Sequence, residues 1–154
     1  MKVLGEKLRK VYKLLDAWQS FVWFYIVGVA LHEWGHAMAG WLLGAKTIVI
    51  FKPNLSGICM WLASTHDPFK LQLFGLAGGL AVFLMYMWAL VFEQDKEDQA
   101  ALCLWGFAQL CYAVGEMQAA VGVLPWELAN LCFLIGMVLG IMVWTLLRIL
   151  KLLK

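Results

Sequence analysis

The sequence predicts an all-α membrane protein: about four transmembrane helices, an N-terminal amphipathic helix, and a β-hairpin between the first two spans. Three observations predict it. Of 154 residues, 64% are hydrophobic and 14% charged, whereas soluble domains carry about 45–50% and about 25%. The mean hydropathy is +0.80. Four stretches, residues 17–44, 71–92, 100–123 and 128–147, have the length to cross a hydrocarbon core of about 30 Å, which takes about 20 helical residues. One integral-membrane domain, 1–154, is the natural organisation.

Residues 1–16 set Lys2, Lys7, Arg9, Lys10 and Lys13 among Val3, Leu4, Leu8, Val11, Leu14 and Leu15, the pattern of an interfacial amphipathic helix. The apolar run behind them is too long for a signal-peptide core, so the first span is expected to stay in the mature chain. The connector 45–70 differs in kind. Thr47 to Phe51 is β-prone, Lys52 to Gly57 contains Pro, Asn, Ser and Gly, and Ile58 to Leu62 is apolar again, which predicts a hairpin. Connectors of this length more often carry a function than merely link. Gly75, Gly78 and Gly79, and Gly136 and Gly140, predict close packing between helices.

A formal charge of +2 with scattered basic residues excludes a nucleic-acid partner and leaves the lipid bilayer as the expected one. The basic residues gather at both ends, including Arg148, Lys151 and Lys154, so the positive-inside rule predicts cytoplasmic termini and an even number of crossings. Four cysteines without metal-type spacing predict neither a thiolate metal site nor a disulfide.

Inside the first span lies Leu31-His32-Glu33-Trp34-Gly35-His36. On a helix, His32 and His36 project from one face and can grip one tetrahedral Zn²⁺, while Glu33 reaches a water beside it. From this composition, on the order of 0.002 such HExxH matches would arise by chance. A charged residue near mid-bilayer costs about 2.5–3.5 kcal/mol, so three ionisable side chains within five positions require compensation, which a metal ion supplies. The competing explanation is a polar cluster joining helices, which has no need of this spacing.

A catalytic zinc site takes three protein ligands and leaves one position open. Glu116 is the only other acidic residue inside a predicted span. The first and third spans run in the same direction, and at about 1.5 Å per residue His36 and Glu116 fall at similar depths. Gln109, Tyr112 and Glu116, at i, i+3 and i+7, give the third span one polar stripe suited to face a metal. His66 and Asp67 are the rival third ligands.

In these residues the chain resembles the site-2 protease family of intramembrane metalloproteases, in particular its small bacterial and archaeal members. The resemblance covers about the first 90 residues. It rests on HEWGHAMAGWLLGA (His32 to Ala45), on the β-prone stretch with its Asn54-Leu55-Ser56-Gly57 turn, and on the glycine-rich start of the second span, Gly75 to Leu80. It implies a three-helix catalytic core, one Zn²⁺, and cleavage of transmembrane or membrane-proximal substrate segments in a cell membrane. The family carries an Asp in an LDG-like motif on its third core helix. That motif is absent here, and Glu116 stands in by position and type. An inactive homologue that binds and regulates membrane proteins is the alternative, and a metal-handling protein a more distant one. The hairpin offers an edge for an unwound substrate, with Ile48, Ile50, Asn54 and Gly57 as candidate substrate-binding residues.

Overall fold

The computed structural model describes residues 2–52, 56–61, 67–150 and 152, and the side chains of these from residue 11 onward apart from Trp61. Asn54 and His66 lie outside the described residues. The chain order is α1 (Lys2–Leu42), β1 (Thr47–Phe51), β2 (Gly57–Trp61), α2 (Pro68–Phe92), α3 (Lys96–Ala120) and α4 (Trp126–Ile149). Four helices are long and apolar enough to cross a membrane, which fits a multi-pass membrane protein.

The expected boundary at residue 16 is not there. Helix α1 runs unbroken for 41 residues, about 60 Å at 1.5 Å per residue. Nothing in the sequence stops it: no proline occurs before position 53, and the junction holds no glycine and includes the good helix formers Leu14, Leu15, Ala17 and Gln19. The amphipathic segment and the first span are thus one helix. It ends at Gly44, whose φ of 81° only glycine adopts without strain. There the N–H groups of Gly44 and Ala45 close on the carbonyls of Trp41 and Gly40, at 3.0 and 2.8 Å, a Schellman stop.

The predicted hairpin forms. Its strands pair antiparallel with Thr47 opposite Trp61 and Phe51 opposite Gly57, and the Lys52 N–H donates to the Ser56 carbonyl at 2.8 Å. Helix α2 opens earlier than residue 71 because Asp67 caps it. The Asp67 carboxylate accepts from the N–H groups of Phe69 and Lys70 at 3.0 and 3.4 Å, with Pro68 in the first turn. Asp95 caps α3 likewise, accepting from the Glu97 N–H at 2.9 Å. Helix α3 ends at Ala120 rather than 123, closed by Gly122 at φ 74°.

Helix α3 is the most buried of the four and packs against α1, α2 and α4. In one half of the bundle, Val82, Tyr86 and Leu90 of α2 meet Leu102, Cys103 and Trp105 of α3. Two polar tips tie α1 to this core: the Tyr86 hydroxyl donates to the Phe24 carbonyl, and Trp105 Nε1 to the Phe21 carbonyl at 3.2 Å. In the other half, small residues let backbones touch. A methyl group on Gly75 would lie 2.9 Å from the Glu116 carbonyl oxygen, and one on Gly115 would lie 2.8 Å from the Ala129 Cα. This close approach lets α1, α2 and α3 share a single polar site.

Candidate metal centre

One helical turn separates His32 from His36, and both rings leave α1 on the side of α2 and α3. Helix α2 must pass very near them. Gly35 of α1 allows it, because a methyl there would lie 2.7 Å from the Ala77 carbonyl oxygen. Gly78 completes the fit, since a Cβ at that position would strike the His36 imidazole, with Cδ2 at 2.7 Å and Cε1 at 2.8 Å. The glycines in the second span therefore make room for a histidine ring as well as for a neighbouring backbone.

The donors converge. His32 Nε2 and His36 Nε2 are 2.9 Å apart, and Glu116 Oε2 lies 3.1 Å from the first and 3.4 Å from the second. A point equidistant from these three atoms is about 1.8 Å from each, a spacing at which His32, His36 and Glu116 would together hold one divalent first-row ion. All three side chains are buried. Glu116 Oε2 accepts no hydrogen bond, although it is shielded from solvent. A buried carboxylate oxygen in that condition is costly unless a cation meets it.

Hydrogen bonds on the far side of each ring set its tautomer. His36 Nδ1 lies 2.6 Å from the Phe74 carbonyl oxygen, which can only accept, so Nδ1 carries the proton and Nε2 presents a lone pair. His32 Nδ1 lies 2.8 Å from Gln109 Oε1 and is matched in the same way. Tyr112 lines the same cavity as these donors, and its ring stands 5.6 Å from that of His32. The polar stripe of α3 therefore does face the site: Gln109 orients a histidine, Tyr112 stands beside the same ring, and Glu116 supplies the third donor. Outer contacts of this kind are what hold metal ligands in place.

Among the described residues, His32, His36 and Glu116 form the one group of three that can hold a metal ion. Asp67, the rival third ligand, is spent on capping α2. No family model, curated protein or solved structure matches the chain.

Glu33 lies beside this centre, buried, with the Cys59 backbone of β2 near its carboxylate. The three donors and Glu33 line one cavity of about 500 Å³, whose wall includes Gly57, Ile58 and Cys59 of β2 and Asn130 of α4. Burial, and then the Glu33 charge, push the Cys59 thiol up to about 11, so it stays protonated.

Of the candidate substrate-binding residues that are described, only Gly57 borders the cavity. Ile48 and Ile50 sit on β1 at 45% and 44% exposure and are not in the cavity wall, because β2 is the strand that lies against it. Two contributors carried no signal in the sequence. The Phe74 carbonyl is a backbone group that any residue would supply, and Gly78 could be recognised as a packing glycine but not as the floor beneath His36.

Proposed function

We propose that this protein is an intramembrane zinc metalloprotease that hydrolyses peptide bonds of transmembrane or membrane-proximal segments. The observation that carries the proposal is the convergence of His32 Nε2, His36 Nε2 and Glu116 Oε2 within 3.4 Å of one another, with Glu33 on the same cavity. Two imidazoles and one carboxylate suit zinc, whose bonds to such donors are about 2.0–2.2 Å and whose catalytic sites keep three protein ligands. Zinc in that place supplies Lewis acidity, bringing the pKa of a coordinated water towards about 7 and polarising a peptide carbonyl.

The chain's own groups perform the rest. Glu33 takes a proton from the attacking water as the new C–O bond forms. It returns that proton to the amine nitrogen as the C–N bond breaks, so one water is consumed and Glu33 is regenerated. The Phe74 carbonyl and Gln109 keep both Nε2 atoms unprotonated and aimed inward. The apolar walls exclude bulk water and strengthen each charge interaction within.

Substrate must arrive extended, because a helix hides its carbonyls in hydrogen bonds. Ladder bonds alternate along an antiparallel pair, and Lys52 bonds to Ser56. Ile50–Ile58 and Ile48–Met60 are therefore the bonded pairs, and Gly57 and Cys59 turn their backbone groups to the outer edge. That edge borders the cavity and suits strand addition. Four crossings return both termini to one side, and the basic ends favour the cytoplasm.

Zinc analysis of purified protein, paired with cleavage of a model transmembrane substrate, tests the proposal. One zinc per chain is expected in the wild type, none in His36→Ala, and a severely reduced amount in Glu116→Ala. Glu33→Gln should keep its zinc and lose cleavage by about 100-fold or more. Wild-type protein without stoichiometric zinc, or a Glu33→Gln variant that cuts at the normal rate, overturns it.

A further inference from the structure

We infer that strand β2 positions the general base, with Gly57 leaving the space that the Glu33 side chain occupies, so that Gly57 is a positioning residue of the reaction. This rests on Glu33 being the base, as proposed above. A Cβ built on Gly57 would meet the Glu33 side chain along its length: Cγ in hard overlap, and Cδ and Oε1 each at 2.6 Å. Backbone conformation does not require glycine here, because the positive-φ glycines are Gly44 and Gly122. What position 57 must provide is space.

That space is occupied by the Glu33 side chain and not by backbone. A methyl group at 57 therefore need not move α1 or the hairpin. It pushes the carboxylate aside, away from the Cys59 backbone and from the place it takes in the cavity wall. Gly57 is the first residue of β2, opposite Phe51, and the same strand lies against the cavity. Hairpin and carboxylate are thus in register: shifting one shifts the other. Residues of the hairpin that touch neither metal nor water set the rate through Glu33.

The test is Gly57→Ala in the full-length, zinc-loaded protein, alone and combined with Glu33→Gln. Gly57→Ala should retain its zinc and lower kcat by about 100-fold, the usual cost of misplacing a catalytic group by about 1 Å, with KM little changed. The double variant should cut no more slowly than Glu33→Gln alone, because a residue that acts through the Glu33 carboxylate has nothing left to act on once that carboxylate is gone. A Gly57→Ala protein that cuts normally overturns the inference, and so does one that loses zinc, or a double variant that cuts clearly more slowly than Glu33→Gln alone. Failure of the protease proposal itself is separate, since it would appear as normal cleavage by Glu33→Gln.

Discussion

His32 and His36 face each other across 2.9 Å, Nε2 to Nε2, with the Gln109 amide oxygen and the Phe74 carbonyl behind them holding the ring protons on the opposite nitrogens. Two lone pairs directed at each other repel unless a cation lies between them. The buried Glu116 oxygen adds negative charge to the same point. This is a donor set arranged for a positive ion, in a helix pair where uncompensated charge is costly.

The hydrogen bond behind His32 predicts an effect from a residue that does not touch the ion. Gln109→Leu should weaken zinc affinity by about 10–100-fold, the usual loss when a histidine ligand's outer partner is removed. Gln109→Glu, which keeps an acceptor facing Nδ1, should lose less. Competition against a graded series of chelators measures both, and equal affinity in Gln109→Leu and wild type would show that the ring needs no such support.

Two glycines should respond differently to the same methyl group. At Gly78 the obstacle is the His36 ring, so Gly78→Ala should yield folded protein with little or no bound zinc. At Gly140 the obstacle is backbone, with the Leu104 Cα 2.7 Å away, so Gly140→Ala should lower thermal stability, by about 1–3 kcal/mol for an overpacked contact, and keep its metal. Zinc content and melting temperature of the two variants separate the effects.

Capping assigns Asp67 a structural duty. Asp67→Ala should cost about 1 kcal/mol of stability, as loss of a helix cap does, and leave zinc stoichiometry and cleavage unaltered. Metal loss on this substitution would transfer the third-ligand role from Glu116.

Much of the arrangement was legible in the chain. The His32-Glu33-His36 spacing and its place within an apolar run need only helical geometry and the cost of charge in lipid to be recognised. Glu116 was accessible by elimination, and Gln109 and Tyr112 by periodicity. The merging of the amphipathic segment with the first span went the other way: polarity changes at residue 16, but backbone continuity depends on local propensity, which does not break there.

By itself the sequence determined four apolar helices, a hairpin between the first two, and a pair of imidazoles one turn apart, because each depends on composition or on spacing within a single element. Tertiary structure alone decided that Glu116 Oε2 comes within 3.4 Å of both rings, that a carbonyl of α2 fixes one tautomer, and that β2 rather than β1 lies beside Glu33. Those outcomes depend on how near two backbones approach, and here that distance was set by glycines whose neighbours belong to other helices and to the hairpin.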